Sequence, residues 1–225
     1  MINIAIDGPS GAGKSSLAKA LSAKLGYIYV DTGALYRSVG LYVRTKNIDP
    51  HDENAVKAVL GEINLELRFE NGSQSVYLNG ENVNGKIRTP EMSMYASAVS
   101  ALPSVRAFLL DLQKDIARKN NVIMDGRDIG TVILPNAQVK IFLTASDEKR
   151  AKRRYDELIA KGESVTYEKV YEELVQRDKN DSTRKTAPAV KAPDAVLLDN
   201  GGLNLEETVN EALEIIRNAQ CAMRN

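Results

Sequence analysis

Short apolar or nearly apolar runs recur along the chain, and longer segments with a helical spacing of apolar residues lie between them. The runs cover residues 2–6, 27–30, 122–124, 139–143 and 195–198. Such runs are typical of strands in a parallel sheet, because helices cover both of its faces. Segments 13–25 and 34–45 are predicted helices, and in the first Leu17, Leu21 and Leu25 recur on one face. This alternation predicts an α/β fold with a five-stranded parallel sheet flanked by helices.

A second pattern interrupts this order in the first half of the chain. Residues 63–69 and 75–78 alternate between apolar and polar side chains, and the dipeptide Asn71-Gly72 lies between them. Asn-Gly between two alternating runs is a hairpin signal. We therefore expect a small antiparallel insert at about residues 63–90. From the pattern alone, the insert is either a surface hairpin or part of a substrate-binding lobe.

A third stretch, residues 147–188, is rich in charge and has helical periodicity at 151–158 and 167–177. A charged helical pair is often no more than a solvated face. Its arginines, which include Arg153, Arg177 and Arg184, form part of a pattern that is interpreted below through a family resemblance.

Composition narrows the class of protein. The 225 residues are enough for one sizeable core, and Lys plus Arg equals Asp plus Glu at 30 each. This balance argues against a broad surface for nucleic acid. No apolar run approaches the roughly 18 residues that span a bilayer, and the N-terminus lacks the basic start of a signal peptide. With Cys221 as the single cysteine, we expect a cytoplasmic protein without intrachain disulfides.

The first predicted strand leads directly into a glycine-rich loop. The loop reads Gly8, Pro9, Ser10, Gly11, Ala12, Gly13, Lys14 and Ser15, a full match to G-x-x-x-x-G-K-S between a strand and a helix. In such a loop, backbone N–H groups and the helix N-terminus point at a phosphate. Lys14 is expected to reach the β- and γ-phosphates of a nucleotide, and Ser15 to supply a hydroxyl to Mg²⁺. A loop that binds phosphate without catalysis is the alternative.

The class of phosphate-loop protein follows from what accompanies the loop. The guanine-reading N-K-x-D segment of GTPases is absent from the sequence, and the chain is short for a motor or a helicase. A compact kinase therefore fits best. A nucleotide-dependent switch or binding module without an acceptor, and a kinase for a different small acceptor, remain alternatives.

Two further segments place charged side chains after predicted strands. Asp125 and Arg127 follow the run at 122–124, where the carboxyl end of a parallel strand faces the ligand crevice. Asp125 is expected to hold Mg²⁺ through water, or else to cap a helix. Arg127 is expected to grip an anionic substrate, or else to form a salt bridge.

The other segment, Asp31-Thr32-Gly33-Ala34-Leu35-Tyr36-Arg37, follows the second strand. Asp31 or Thr32 is a candidate cap for the helix that begins near Ala34. Arg37 would then lie beside the start of that helix, near a second anion site. The alternative is an ordinary capped helix with a surface arginine.

Together these segments resemble the bacterial cytidylate (CMP) kinase family of phosphate-loop nucleoside monophosphate kinases along nearly the whole chain. The most specific pieces are IDGPSGAGKSS at 6–16, DTGALYR at 31–37, MDGRDIGTVILPNA at 124–137, VKIFLTAS at 139–146 and the arginine, aspartate and Ala-Pro pattern at 177–188. The resemblance implies transfer of the γ-phosphoryl group of ATP to CMP, and to dCMP, with Mg²⁺ as cofactor. It also implies one domain, with a core (1–34, 104–146 and 189–225), a monophosphate-binding lobe (about 35–103) and a mobile helical lid (about 147–188).

The resemblance further implies roles for individual residues. Ser16 joins the phosphate loop, and Lys14, Asp125, Arg127 and Arg153 match catalytic positions, with Arg153 as a candidate contact to the donor phosphates. The residues implied to bind the acceptor are Thr32, Arg106, Asp128 and Arg184 around the cytosine, Arg37 and Arg127 at the monophosphate, Ser97, Arg177 and Asp181 near the ribose, and Tyr36 in the same pocket. Asp125 is counted among the substrate-binding residues as well. The family commonly has serine at the position of Thr32, and threonine keeps the hydroxyl. We expect a monomer acting on small molecules, without nucleic-acid or membrane partners.

Overall fold

The computed structural model describes residues 1–70 and 73–222. Its strands are β1 (Asn3–Asp7), β2 (Ile28–Asp31), β3 (Leu65–Glu70), β4 (Ser73–Leu78), β5 (Glu81–Asn82), β6 (Val122–Asp125), β7 (Val139–Thr144) and β8 (Val196–Asp199). Its α-helices are α1 (Lys14–Leu25), α2 (Thr32–Thr45), α3 (Glu53–Val59), α4 (Pro90–Ser100), α5 (Pro103–Lys119), α6 (Asp147–Ala160), α7 (Tyr167–Thr183) and α8 (Leu205–Ala222). A 3₁₀ turn at Leu60–Glu62 and a π-helical turn at Ile129–Ile133 complete the described elements.

Five strands form a parallel sheet in the order β2-β6-β1-β7-β8, which confirms the predicted α/β fold. Helices α1 and α8 cover one face, where Leu17 and Ile216 pack against Ile4 and other strand residues. Helix α5 and the π-helical turn cover the other face, where Ala117 and Ile129 lie buried. Because both faces are covered, the central strands carry no exposed side chains in their apolar runs.

The last strand differs from this expectation. Its apolar run resembles the others in sequence, but Val196 and Leu197 are 46% and 58% exposed. Strand β8 lies at the sheet edge, and among the described residues it pairs with β7 alone. An edge strand with partial helix cover leaves apolar side chains at the surface, which the run itself does not reveal.

The predicted insert is present as a second, antiparallel sheet in the order β3-β4-β5. The two-residue strand β5 is too short to leave a periodic signal, and the Asn71-Gly72 turn lies outside the described residues. Apolar side chains of the insert, such as Val76 and Ile87, join Leu35 and Val39 of α2 in a separate core. The insert is therefore packed into the molecule and is not a detached surface hairpin.

A glutamine side chain joins the insert to the parallel sheet. The Gln74 Oε1 atom accepts the backbone N–H of Asp31 at 2.9 Å, and its Nε2 donates to the carbonyl of the same residue at 3.3 Å. Strand β2 is the edge of the parallel sheet on this side. Gln74 therefore occupies the position that a further strand would take beside Asp31.

The two charged helices are longer than predicted. Helix α6 begins at Asp147, because Ser146 accepts the backbone N–H of Lys149 and caps it. Thr166 caps α7 in the same way, and α7 continues to Thr183. The helices α3, α4 and α5 were not predicted. The proposed division of the chain into core, lobe and lid stays a prediction.

Helices α2 and α4 approach each other closely at Gly40. A Cβ atom added there would lie 2.9 Å from Cβ of Tyr95 and 3.3 Å from its backbone carbon. Gly40→Ala should therefore lower the free energy of unfolding by about 1–3 kcal/mol through overpacking, although alanine ordinarily favours a helix over glycine. Urea denaturation followed by circular dichroism measures this change. Gly61→Ala is the matched control, because no atom lies within 4 Å of the added Cβ. A Gly40→Ala protein as stable as the wild type would contradict this account of the packing.

Candidate active site

The loop between β1 and α1 has the backbone that its glycines permit. Gly8, Gly11 and Gly13 have φ values of 147°, 71° and 91°, which L-residues with a Cβ rarely adopt. A Cβ on Gly8 would also lie 2.0 Å from the carbonyl oxygen of Leu143 on β7. Gly13 is the N-cap of α1 and has no side chain to occupy the first N–H groups of the helix. These N–H groups can therefore bind an anion.

Lys14 lies over this loop and is buried, with 6% of its surface exposed. Its Nζ donates to the carbonyl of Pro9 at 2.6 Å. Burial lowers the pKa of Lys14, and the guanidinium of Arg127 lowers it further. A cation that has lost hydration and lies near another cation is stabilised by a bound anion.

A hydroxyl and a carboxylate meet beside the loop. Ser15 Oγ donates to Asp125 Oδ2 at 2.7 Å, and the Tyr29 hydroxyl donates to Asp125 Oδ1 at 3.1 Å. Burial raises the pKa of Asp125 to about 6, and the nearby carboxylate of Asp31 raises it as well. Asp125 ends β6 and its carboxylate makes side-chain contacts, so the alternative of a helix cap is wrong.

These oxygen atoms fit a hard divalent cation. Hydroxyl and carboxylate oxygens are the ligands that Mg²⁺ prefers, and a cation would offset the crowded negative charge of Asp31 and Asp125. Within residues 1–70 and 73–222, no group of three His, Cys, Asp or Glu side chains is arranged to hold a metal ion. Mg²⁺ usually takes one or two carboxylates and completes its shell with water and phosphate oxygens.

The start of α2 brings Arg37 to the site. Asp31 caps this helix by accepting the backbone N–H of Ala34 at 2.9 Å, and its other carboxylate oxygen accepts from Arg37 Nη2 at 2.9 Å. Thr32 has a different role, because its Oγ1 donates to the backbone carbonyl of Asp125 at 2.7 Å. Arg37 is thus held at the site by its own helix cap and is not a free surface arginine.

Arg127 pairs with a carboxylate from a distant helix. Its Nε lies 3.0 Å from Oδ2 of Asp181 on α7, and Ser97 of α4 donates to the other oxygen at 3.4 Å. Burial alone would raise the pKa of Asp181, but the guanidinium groups of Arg127, Arg177 and Arg184 hold it below its usual range. Burial, and then Arg127, lower the pKa of Arg177 to about 10.

A buried carboxylate between two arginines forms the inner end of this region. Asp128 is 3% exposed and forms ion pairs with Arg106 and with Arg184, the latter at 3.3 Å. Arg184 also donates to Ser100 Oγ at 3.0 Å. The guanidinium of Arg106 lies 5.7 Å from the ring centre of Tyr36, and burial raises the pKa of that tyrosine. The charged groups here are fixed by one another, which gives the region a defined shape.

The predicted residues line two adjoining cavities. The first, which we call the loop cleft, is bordered by Ser10, Gly11, Gly13, Lys14, Ser15, Ser16, Asp125 and Arg153. The second, which we call the arginine pocket, is bordered by Thr32, Tyr36, Ser97, Arg106, Asp128, Asp181 and Arg184. Gly8, Pro9 and Ala12 shape the loop but do not line either cavity.

Three of the predicted arginines line both cavities. Arg37, Arg127 and Arg177 border the loop cleft and also the arginine pocket. An anion in the pocket and a phosphate on the loop would therefore share the same cations. Two anionic groups can approach each other only where such cations offset their repulsion.

Arg153 of α6 lies at the loop, but most of its contacts are to one residue. It donates to Asn200 Oδ1 at 3.0 Å and to the Asn200 carbonyl at 2.8 Å. Asn200 in turn donates to the carbonyl of Ala12 at 3.0 Å. The sequence reasoning missed Asn200. Its position two residues after the predicted strand run at 195–198, at an end where ligand crevices form, was the signal that could have found it.

Comparisons with known proteins point to one family. The family model described as cytidylate kinase matches residues 4–218. Curated cytidylate kinases of Caldicellulosiruptor bescii and Carboxydothermus hydrogenoformans are 51% and 49% identical. The first match covers 95% of both chains, and the second covers 96% of this chain and 97% of the relative.

Among solved structures, a gluconokinase from Sinorhizobium meliloti has a TM-score of 0.51 at 16% identity, covering 99% of this chain and 95% of its own. An uncharacterized protein from Eubacterium ventriosum has a TM-score of 0.54 at 12% identity, covering 96% and 99%. These two likenesses concern the fold alone. The curated cytidylate kinases, about half identical over almost the full length, show more than the fold, and they confirm the resemblance drawn from the motifs. The chain belongs to the cytidylate kinase family and is a nucleoside monophosphate kinase.

Proposed function

We propose that this chain transfers the γ-phosphoryl group of ATP to CMP, and to dCMP, giving CDP or dCDP and ADP. The observation that carries the proposal is the row of shared arginines. Arg37, Arg127 and Arg177 border both the loop cleft and the arginine pocket. A nucleotide with its phosphates on the loop would thus face a second phosphate held by the same guanidinium groups.

Phosphoryl transfer between two phosphates requires cations that offset their negative charge more than it requires a general base. The acceptor phosphate is already an oxyanion, so it can attack without losing a proton to the protein. Lys14 and the three shared arginines oppose the repulsion between the two phosphates and follow the charge as it spreads over the transferred group. Alignment of both reactants supplies the other large part of the acceleration. We therefore propose direct in-line transfer without a covalent enzyme intermediate.

One of the side chains that would contact phosphate has a weak partner. Lys14 donates to a backbone carbonyl, and a phosphate oxygen is a stronger partner for a cation than a neutral carbonyl. Arg127 pairs through Nε with the carboxylate of Asp181, whereas its Nη1 donates to the Gly126 carbonyl at 3.4 Å, and we propose that this end of the guanidinium turns to phosphate. Arg153 is proposed to turn toward the donor phosphates from its contacts with Asn200.

The inner end of the arginine pocket suits cytosine. Cytosine offers an amino group that donates, beside ring and carbonyl atoms that accept. Asp128 can accept from the amino group, and Arg106 and Arg184 can donate to the accepting atoms. Uracil has an oxygen in place of the amino group, which would face the carboxylate without a proton between them. Buried polar groups left unpaired in this way give strong discrimination. Tyr36 and Thr32 would border the base, and Ser97 and Asp181 the ribose.

Mg²⁺ is proposed to be held by Ser15 directly and by Asp125 through water. When bound, the ion would neutralise part of the phosphate charge. Tyr29, which donates to Asp125, would keep that carboxylate in place. Asp31 is less available, because it caps α2 and pairs with Arg37.

None of the helices within the described ranges is long and apolar enough to cross a membrane. We propose a cytoplasmic setting, which the balanced charge and the single cysteine of the sequence support. A place in pyrimidine nucleotide metabolism is proposed from the acceptor, CMP. We propose that it acts as a monomer on small-molecule substrates, without nucleic-acid or membrane partners.

Lys14→Ala should lower the turnover number with CMP and Mg·ATP by about a hundredfold or more, because it removes a cation aimed at the transferred group. A coupled assay of ADP release measures this. Lys24→Ala is the control, since Lys24 is an exposed residue on the same helix. Turnover near the wild-type value would refute the role of Lys14.

Arg127→Ala should raise the KM for CMP by about tenfold or more, because a charge-assisted contact to phosphate contributes about 1.5–3 kcal/mol. The dissociation constant of Mg·ATP, measured by calorimetry, should change much less. Arg118→Ala, at an exposed site on α5, is the control. An equal loss for both substrates would argue against a role that lies mainly at the acceptor.

A panel of monophosphates tests the acceptor. We expect kcat/KM for CMP to exceed that for UMP or AMP by about a hundredfold or more. Asp128→Asn should reduce the preference for CMP over UMP by about tenfold or more, since it exchanges a charged acceptor for a neutral amide. Asp115→Asn, an exposed change on α5, controls for loss of charge. Equal use of UMP and CMP by the wild type would indicate another acceptor, and ADP release without any acceptor would indicate a nucleotide-dependent switch.

A further inference from the structure

The peptide groups on both sides of Ser10 are held by the charged helices α6 and α7. The Ser10 N–H donates to Asp178 Oδ1 at 2.8 Å, and Arg150 Nη1 donates to the Ser10 carbonyl at 2.6 Å. Arg150 and Asp178 also form an ion pair with each other. We call this closed ring of three residues the loop clasp. Each of the three residues bonds to the other two, so the hydrogen-bonding groups that form the ring all have a partner within it.

The arginine of the loop clasp is buried. Arg150 is 3% exposed and also donates to the carbonyl of Ala145, which directly follows β7, at 2.9 Å. Next to Ser10, a Cβ added to Gly11 would lie 2.9 Å from the carbonyl oxygen of Arg150 and 3.2 Å from Cδ1 of Leu174. The loop tip and the two helices are thus in direct van der Waals contact, so a shift of either helix must move the loop or break the clasp.

Helix α7 also forms one wall of the arginine pocket. Arg177 precedes Asp178 and lines the pocket, and Asp181, one turn further on, pairs with Arg127 and accepts from Ser97. Successive residues of a helix point in different directions, whereas residues four apart share a face. One rigid helix therefore contacts the pocket through Arg177 and Asp181 and the phosphate loop through Asp178.

We propose that Asp178 is a positioning residue that couples binding of an acceptor in the arginine pocket to binding of the donor phosphates at the phosphate loop. An acceptor bound against Arg177 and Asp181 fixes α7, and Asp178 then holds the Ser10 peptide in the conformation that binds the donor phosphates. The ligand that arrives first restrains α7 and the loop further, so the second ligand pays less of that cost and binds more tightly. The effect is reciprocal, as coupling between two binding sites must be. This inference rests on the proposed function, because it takes CMP as the ligand of the pocket.

The test measures coupling rather than activity. The dissociation constant of a non-hydrolysable ATP analogue with Mg²⁺ is determined by calorimetry, with and without saturating CMP. In the wild type, CMP should tighten binding of the analogue by about fivefold or more. In Asp178→Ala the factor should fall below about twofold, with Asp178→Asn in between, because the amide can still accept from Ser10 but has lost its charge. Glu173→Gln removes a charge from an exposed position of the same helix and should keep the wild-type factor.

Each outcome separates this inference from the proposed function. If the wild type does not bind CMP at all, the proposed function fails. If it binds CMP but the analogue binds equally well with and without it, or if Asp178→Ala keeps the full factor, the coupling role of Asp178 is refuted and the proposed function stands. Should Asp178→Ala fail to fold, hydrogen exchange of the Ser10 amide in the wild type decides the question. CMP alone should slow that exchange, and an unchanged rate would overturn the proposal.

Discussion

Buried guanidinium groups are stable only beside buried carboxylates, and the architecture around the arginine pocket follows from this constraint. A charged group removed from water without a partner costs several kcal/mol. Asp128 lies between Arg106 and Arg184, and Asp181 lies beside Arg127 and Arg177. These pairs keep four cations in place before any substrate arrives. A phosphate entering the pocket then meets groups that are already desolvated and oriented, so little reorganisation remains for the reaction itself.

The parallel sheet brings these groups together, because the carboxyl ends of its strands meet at one edge. Asp31, Asp125 and Asn200 follow or end three different strands on that edge. A fourth, Asp7 at the end of β1, accepts the backbone N–H groups of Ile129 and Gly130 at 2.8 and 2.7 Å. Burial raises the pKa of Asp7 to about 6. Asp7 thus anchors the π-helical turn that follows Arg127 and Asp128 and keeps both side chains at the site.

The parts of the fold with local signals were predictable. Apolar or nearly apolar runs marked the five parallel strands, alternation marked the insert, and the glycine pattern marked the phosphate loop. Features fixed by distant contacts were not. Nothing near Arg127 in sequence indicates that its partner is Asp181, 54 residues away. Asn200, Arg150 and Asp178 likewise gain their roles only when the loop, α6 and α7 meet. The identities of the site residues came from motifs, whereas their pairing required the folded chain.

The amide of Gln74 has a consequence for how the molecule could be shortened. By bonding both backbone groups of Asp31, it shields the outer margin of the parallel sheet beside the residue that caps α2 and holds Arg37. Excising the antiparallel segment would therefore not yield a smaller version of the same enzyme. It would uncover unpaired peptide groups on β2, which could recruit a strand from a neighbouring molecule, and it would loosen an arginine shared by the two cavities. The segment is thus a structural support for the catalytic core, and a truncated chain would be prone to self-association.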